Sequence, residues 1–341
     1  MTAATSTQIH LARRPDGWPT HDDFATVSVE LGDFAPGEVR VANEFVSVDP
    51  YMRGRMNDAR SYVAPYAIGE TIAGGAIGRV VASTVDALPV GTVVLHQHGW
   101  SDVVQADAAT FRAVPEAPGV PLSLRLHILG MTGLTAYVGL TAVARIQPGD
   151  TVFVSGAAGA VGTAVGQIAK LLGAGRVIGS AGSAEKVALL TEKYGYDAAL
   201  NYKDGPVREH LAELVPDGVD VFFDNVGGDH LEAALDVMND GGRLALCGAI
   251  AGYNTTEKAP GPDNLANMIT RGLTATGFTL SAYLHLSPEF GEKMTAWFAE
   301  GRIAYDETIV DGIENTVDAF LGMMRGANTG KMLVRIGAAG S

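Results

Sequence analysis

The sequence has little cysteine and little positive charge. Its 341 residues include one cysteine, Cys247, and 24 lysines and arginines against 38 aspartates and glutamates, so the formal net charge is −14. A single cysteine excludes a disulfide framework and a four-cysteine zinc site. The negative charge argues against a general nucleic-acid binder and against a protein held on anionic lipid. An anionic ligand would therefore need a local basic group.

Long apolar runs are lacking as well. No segment is long enough and apolar enough to span a bilayer, so no membrane partner is expected. The stretch Met1–Gln8 is small and polar, without the apolar region of a secretory signal. With 47% apolar and 18% charged residues, the composition is typical of a folded chain with room for two domains. We expect a cytoplasmic enzyme.

A predicted strand, glycine-rich turn and helix start at residues 151–162 is the central feature of the chain. Gly159 would let the backbone approach a pyrophosphate, and Gly162 would let the helix pack close to its strand. The N–H groups of the first helical turn, at Ala160 and Val161, would then face the anion. The alternative is a tight turn without a ligand, because alanine stands where the common fingerprint has its first glycine.

From residue 151 onward, predicted strands alternate with predicted helices, which implies a parallel sheet covered on both faces, as in a doubly wound α/β domain. The strands are predicted from 151 and at 176–181, 198–201, 219–224, 242–247 and 273–278. The helices are predicted at 161–172, 183–194, 207–215, 229–238, 263–271 and 288–300.

Residues up to about 120 are β-rich, which suggests a partly closed barrel. Its strands are predicted at 26–31, 38–48, 76–82 and 92–96. Two interruptions, 49–54 and 68–75, are predicted to be loops, either around a pocket or as ordinary surface turns.

The domain junction is placed in a helical region, 122–144, that is predicted to break near Gly130–Gly133. A strand at 307–310, a helix at 313–324 and a strand at 331–336 are predicted to return to the first domain. We therefore expect a substrate domain over 1–126, a dinucleotide-binding domain over 127–302, and a return to the substrate domain over 303–341.

The end of the second strand of the parallel sheet favours NADPH over NADH. NAD sites usually carry a carboxylate there, whereas this chain has Gly179–Ser183 followed by Lys186. Hydroxyl groups and an ammonium could receive a 2′-phosphate. The alternative for Lys186 is a solvated helix lysine. Cys247, in a loop expected to line the nicotinamide side, is predicted to be a buried, apolar-like residue and not a nucleophile.

These motifs resemble the medium-chain dehydrogenase/reductase superfamily. Within it, the chain is similar to the zinc-free, NADPH-dependent prostaglandin/leukotriene reductase branch of alkenal and enone double-bond reductases. The likeness spans nearly the whole chain and is carried by residues 48–53, 130–137, 159–162 with 166–170, 181–183 with Lys186, 201–203, 223–228, 247–250 and 326–331. Thr132 departs from it, because a proline is common at that position.

The resemblance implies a GroES-like β-barrel domain, a Rossmann domain and a homodimer. It also implies that Lys186 and Tyr202, beside Ser183, contact the adenosine 2′-phosphate. Tyr253 should face the substrate, with Tyr51 as a second pocket residue. The remaining NADPH contacts that it implies are Asn225, Cys247, Gly248, Ala249, Ile250, Tyr253, Phe278, Thr279, Leu280 and Asn328.

The single cysteine argues against the alcohol chemistry of zinc dehydrogenases, and no metal is expected. His96 and His98 are predicted to be ordinary strand or surface histidines, since no third ligand is nearby. Without a metal, the simplest reaction is hydride transfer from NADPH to the β-carbon of a small hydrophobic enone or enal. A hydrogen-bond donor would stabilise the enolate, and Tyr253 is the first candidate, although it could equally be a pocket wall.

Two alternatives to this reaction stay open at the level of sequence. A quinone reductase would use the same cofactor site without a specific acid. A non-catalytic, NADPH-binding structural or regulatory protein could also have this fold.

Overall fold

The chain forms two compact units. The computed structural model describes residues 4–257 and 260–337, so residues 1–3 of the amino-terminal stretch and 338–341 of the third predicted segment lie outside the described residues. Of the described residues, the first unit contains 4–126, 307–328 and 332–337, and the second contains 127–306, with its gap at 258–259, and 329–331. Within the part of the chain that is described, no helix has the length and apolar character needed to cross a membrane.

The first unit is built mainly of antiparallel strands. In chain order its elements are β1 (Ala4–Leu11), β2 (Phe24–Leu31), β3 (Glu38–Ser47), α1 (Tyr51–Arg55), β4 (Ala76–Ser83), β5 (Val93–His96), β6 (Val103–Asp107) and β7 (Arg112–Ala113). Strands β1 and β2 pair with each other. The larger sheet also includes strands from the last part of the chain, which complete it as described below.

The second unit begins after Leu126 and alternates helices with strands. Its elements are α2 (Met131–Val138), β8 (Thr151–Val154), α3 (Ala160–Leu171), β9 (Arg176–Ala181), α4 (Ala184–Lys193), β10 (Ala198–Asn201), α5 (Val207–Leu214), β11 (Val219–Asp224), α6 (Asp229–Val237), β12 (Met238–Leu246), α7 (Ala266–Thr270), β13 (Thr274–Gly277) and α8 (Ser287–Ala299). The remaining elements, β14 (Glu307–Asp311), α9 (Thr316–Met324) and β15 (Lys331–Arg335), follow it in the chain.

The sheet of the first unit has the strand order β14-β15-β3-β4-β5-β7, with β6 also pairing with β3. An aromatic cluster supports it, because Trp100 and Phe320 lie 5.7 Å apart in an edge-to-face contact and Phe24 packs on both. The Trp100 indole N–H donates to the Ser47 carbonyl at 2.9 Å, so this buried ring is also held by a hydrogen bond.

The sheet of the second unit is parallel, with the order β10-β9-β8-β11-β12-β13. This is the dinucleotide-binding order, and it reverses between β8 and β11. Phe153 and Phe222 stack at 5.1 Å within a buried cluster on one face of the sheet. The doubly wound sheet predicted from the strand–helix alternation is confirmed, and the reversal identifies the edge at which a ligand is expected.

Several local predictions were wrong. Residues 49–54, expected to be a loop, contain α1, which begins directly after Pro50; the fixed φ of proline suits a helix start. Strands β1 and β6 were not predicted. Helix α7 covers only Ala266–Thr270 of the predicted 263–271.

The predicted break near Gly130–Gly133 is present, because residues 127–130 form a turn and Gly130 is the N-cap of α2. Helix α2 begins at Met131, and Gly133 lies inside it. A Cβ at Gly133 would collide with the Ile128 carbonyl oxygen, so glycine here permits close packing of the helix on the preceding turn and does not end it.

Candidate cofactor and substrate sites

The glycine-rich turn after β8 brings the start of α3 against the sheet. Gly156 has a φ of +60°, which favours glycine. A Cβ at Gly162 would lie 2.5 Å from the Ala157 Cα, so only glycine lets the helix pack this closely. A Cβ at Gly159 would meet nothing nearer than the Gly156 carbonyl oxygen at 3.3 Å. Protein packing therefore demands glycine at Gly162 far more than at Gly159.

The amino terminus of α3 is open to an anion. Its N-cap residue is Gly159, which has no side chain to cap the helix. The Thr163 N–H is the first to donate back, to the Gly159 carbonyl at 2.9 Å. The N–H groups of Ala160, Val161 and Gly162 therefore have no intrahelical acceptor. Uncapped N–H groups on a helix macrodipole suit a pyrophosphate, so this part of the structure fits a dinucleotide.

A segment from late in the chain joins this turn. Gly330 forms a parallel bridge with Gly159, and its N–H donates to the Ala158 carbonyl at 2.9 Å. Residues 329–331 belong to the second unit. Asn328, expected from the resemblance to contact NADPH, stands two residues before Gly330 in the chain and belongs to the first unit.

The carboxyl end of β9 carries polar and basic groups. The Ser183 hydroxyl caps α4 and accepts the Lys186 N–H, as the sequence predicted. Burial, and then the charge of Lys203, lower the pKa of the half-buried Lys186 ammonium. The Tyr202 side chain lies over Gly182. A Cβ added at Gly182 would be only 2.6 Å from the Tyr202 hydroxyl oxygen, so glycine leaves room for this ring. These groups form a small cradle that suits a phosphate.

The carboxyl end of β11 is organised by a buried carboxylate. The Asp224 Oδ1 atom accepts from the Ser155 hydroxyl at 2.7 Å and from the N–H groups of Val226 and Gly227, each at 2.9 Å. Asn225, an expected NADPH contact, donates its side-chain N–H to the Ser155 carbonyl at 2.8 Å. Asp224 thus fixes the loop in which Asn225 lies. Burial raises the pKa of Asp224, against these hydrogen bonds.

The loop after β12 contains Cys247 and Tyr253. Burial raises the pKa of the Cys247 thiol to about 12, so the thiol is protonated at neutral pH and is a poor nucleophile. Cys247 is half-buried, which corrects the prediction of a buried residue.

Tyr253 follows a short helical turn that begins at Ile250. A Cβ at Gly248 would lie 3.5 Å from the Tyr253 hydroxyl oxygen. That oxygen is also 3.5 Å from the Ala249 nitrogen, a long contact in which the N–H is the donor. The hydrogen of the Tyr253 hydroxyl is therefore not used in this contact.

Phe278 lies between two aromatic rings after β13. It makes edge-to-face contacts at 6.3 Å with Phe223 and with Tyr283. Thr279 and Leu280 follow it, and the Thr279 hydroxyl is 3.2 Å from that of Ser281. The ring contacts fix the start of the segment from which the expected NADPH contacts at 278–280 project.

In the first unit, Tyr51 begins α1 beside other tyrosines. Its side chain is half-buried, and burial raises the pKa of its hydroxyl well above the usual range. The Tyr66 hydroxyl donates to the Ala73 carbonyl at 2.6 Å, and the Arg55 guanidinium lies 4.0 Å from the Tyr66 ring centre. The loop over residues 68–75, as predicted, contains no regular strand or helix.

The two histidines considered as metal ligands are held in other ways. His96 bonds through Nε2 to the Asn43 side-chain oxygen at 2.8 Å, and His98 bonds through Nε2 to the Thr110 hydroxyl at 2.8 Å. Among the described residues, no three His, Cys, Asp or Glu side chains form a group that could hold a metal ion. The residues present therefore do not fit a structural or catalytic zinc ion.

Sequence reasoning missed two features of the second unit. Asp224 was predicted only as the last residue of the strand 219–224, although a carboxylate at the end of an apolar strand could have indicated a buried hydrogen-bonding centre. Lys203 lies in the 201–203 stretch, where the resemblance implies a role for Tyr202 alone. Its position directly after Tyr202 was the available signal.

Comparison with known proteins identifies both units. Residues 7–114 match a family model described as the N-terminal domain of oxidoreductase, and residues 160–300 match one described as zinc-binding dehydrogenase. The chain is 38% identical to the NADPH-dependent curcumin reductase of Escherichia coli, over 96% of this chain and 95% of the relative. It is also 38% identical to the NADP(+)-dependent 2-alkenal reductase of Nicotiana tabacum, over 96% and 97%.

A solved structure extends the match to three dimensions. The crystal structure of CurA from Vibrio vulnificus in complex with NADPH superimposes with a TM-score of 0.92 at 40% identity, covering 98% of this chain and all of CurA. The GroES-like and Rossmann domains predicted from the sequence are confirmed by these matches. The chain belongs to the zinc-free medium-chain dehydrogenases/reductases, in their branch of NADPH-dependent double-bond reductases.

Proposed function

We propose that the chain uses NADPH to reduce the carbon–carbon double bond of α,β-unsaturated aldehydes or ketones. The observation that carries the proposal is the nearly full-length similarity to a curcumin reductase and a 2-alkenal reductase, both named for NADPH or NADP+. The substrate in this proposal is a small hydrophobic enone or enal.

The described residues fit NADPH, and each group of them has a proposed part in holding it. The turn from Gly159 to Gly162 would take the pyrophosphate, and Ser183, Lys186 and Tyr202 would take the adenosine 2′-phosphate. The bound cofactor would supply a hydride to the β-carbon of the substrate. The remaining proposed contacts are Asn225, Cys247, Gly248, Ala249, Ile250, Tyr253, Phe278, Thr279, Leu280 and Asn328.

Tyr253 is the proposed hydrogen-bond donor to the substrate carbonyl oxygen. Hydride addition to the β-carbon places negative charge on that oxygen, and a donor there lowers the barrier. Burial raises the pKa of Tyr253, so its hydroxyl keeps its proton at neutral pH. The hydroxyl can therefore stabilise the enolate, and it or water can protonate the α-carbon. Tyr51 would contact the substrate as a second pocket residue.

A substrate panel tests the proposal. Purified protein would be mixed with NADPH and, separately, with an enal, an enone, a quinone and a saturated aldehyde as the control. We expect NADPH oxidation with the enal and the enone, with the saturated carbonyl compound as product by mass spectrometry, and none with the saturated aldehyde. Oxidation with the quinone alone would show a quinone reductase instead. Tight NADPH binding without any oxidation would favour a non-catalytic protein.

We also propose a homodimer and a cytoplasmic location. Strand β13 lies at one edge of the parallel sheet, where Thr274, Ala275 and Gly277 are exposed, and Ile269 nearby in the chain is 85% exposed. An exposed edge strand is a template for pairing with a second chain. Pairing of this edge with its copy would bury it. Cell fractionation would test the location.

A further inference from the structure

Two lysines converge at the carboxyl ends of β9 and β10. Lys186 is in the first turn of α4, and Lys203 follows the end of β10 by two residues. The Lys203 ammonium lies 5.9 Å from the Tyr202 ring centre. The Tyr202 hydroxyl reaches over Gly182, next to the Ser183 cap. A single aromatic side chain thus spans from the second lysine to the cradle at the end of β9.

The positive charge of Lys203 acts on the Lys186 ammonium. The charge of Lys203 adds to burial in lowering the pKa of Lys186. The neighbouring Asp204 carboxylate accepts from the Asn201 side chain at 2.7 Å. In the ranges 4–257 and 260–337, Lys203 forms no salt bridge of its own. A doubly charged anion bound between Lys186 and Lys203 would offset the repulsion between them.

We infer that Lys203 is a second cation for the 2′-phosphate of NADPH, and that it helps the chain select NADPH over NADH. The inference rests on the proposed function, because it takes NADPH as the cofactor. A phosphate monoester carries close to two negative charges at neutral pH, so one ammonium leaves about half of its charge uncompensated. Lys186 and the Tyr202 hydroxyl would bind the phosphate from one side, and Lys203 would approach it along the Tyr202 ring.

Equilibrium binding of NADPH and NADH, followed by cofactor fluorescence, tests this without turnover. We expect Lys203→Gln to weaken NADPH about 10-fold, as for the loss of one charge-assisted hydrogen bond, and to change NADH by less than about twofold. The dependence of NADPH affinity on salt should also become shallower. Lys203→Arg keeps the positive charge, so its affinity for NADPH should be within a few-fold, on the order of that of the original protein.

Arg112→Gln is the matched control. It removes the same charge from an exposed position in β7 of the first unit, and it should leave both affinities unchanged. Circular dichroism would confirm that each variant is folded.

The outcomes separate the inference from the proposed function. If Lys203→Gln keeps its NADPH affinity while Lys186→Gln loses it, the role of Lys203 is overturned and the cofactor assignment stands. Equal weakening of NADPH and NADH by Lys203→Gln would also overturn it, since the effect would not involve the 2′-phosphate. If the unsubstituted protein binds NADH as tightly as NADPH, the proposed cofactor itself fails.

Discussion

At the scale of single residues, partial or full burial keeps several titratable side chains neutral at pH 7. Tyr253 keeps the proton that the proposed reaction uses, and Cys247 remains a thiol. His96 is kept neutral by burial, which lowers its pKa to about 3. Its Nδ1 atom accepts the His98 N–H at 3.2 Å, so the ring hydrogen is on Nε2, where it donates to Asn43.

Tyr253→Phe removes the proposed donor and leaves the ring in place. We expect the turnover number with an enal to fall about 100-fold, the size of effect seen when one donor to a developing oxyanion is lost. The dissociation constant for NADPH should stay within about twofold, because the ring is kept and Tyr253 is one of many proposed NADPH contacts. Steady-state kinetics and cofactor fluorescence would measure both. Near-normal turnover would make Tyr253 a pocket wall.

Because burial lowers the pKa of His96, we expect the folded protein to lose stability in acid. The unfolded chain binds a proton at this histidine near pH 6.5, whereas the folded chain does not until about pH 3. The contribution of neutral His96 to the free energy of unfolding is therefore complete above pH 6.5 and declines as the pH falls. At pH 5 the free energy of unfolding should be lower by about 2 kcal/mol than at neutral pH from this group alone. Urea unfolding at pH 7.5 and pH 5 would show a smaller difference for His96→Gln than for the original protein. Equal differences would contradict the assignment.

At the scale of elements, the turn between β8 and α3 contains one glycine that packing requires, Gly162, and one that a bound ligand would require, Gly159. Gly162→Ala should lower the free energy of unfolding by about 1–3 kcal/mol, because its Cβ would overlap Ala157. Gly159→Ala should change stability much less and weaken NADPH binding, since the single close contact of its Cβ would be the Gly156 carbonyl oxygen at 3.3 Å. Chemical denaturation and cofactor fluorescence on the two variants would compare them. A stable Gly162→Ala protein would contradict the packing argument.

The edge strand β13 gives a test of the proposed dimer. Ala275 is exposed in the middle of this strand, opposite Leu244 of β12 in the sheet register. Ala275→Arg would place a charge on the pairing edge and should convert a dimer into monomers without unfolding the sheet. Light scattering after size exclusion would measure the mass. A monomeric original protein, or a variant that remains dimeric, would rule out this interface.

The sequence was most informative where the pattern was local. The βαβ alternation from Thr151 and the Ser183 cap needed only neighbouring residues, and both are present in the structure. Strand β1 was missed because its pairing with β2 depends on residues about 20 positions away. Helix α1 is too short for a periodic signal. The cradle at Tyr202 was predicted only in part, because Lys203 acquires a role through its distance from Lys186 in space.

At the scale of the whole molecule, both units depend on the last part of the chain. Strand β15 lies between β14 and β3, with Leu333 opposite Ser47 and Val334 opposite Val46. Deleting residues from 307 onward would remove β14, β15 and α9, and with them one of the strands that pair with β3 and the buried Phe320. We expect the shortened chain to be insoluble on expression. A soluble product that binds NADPH would contradict the dependence.

The pairing of β15 with β3 also constrains how the protein is made. Residues 45–47 of β3 leave the ribosome early, yet the strand that pairs with them on one side is at 331–335. Gly330, which bridges to the glycine turn, is equally late. Neither unit can complete its contacts until almost the whole chain has been synthesised, so domain-by-domain folding during translation cannot run to completion. During that interval β3 has an unpaired edge, and the nascent chain must be protected there from pairing with other chains.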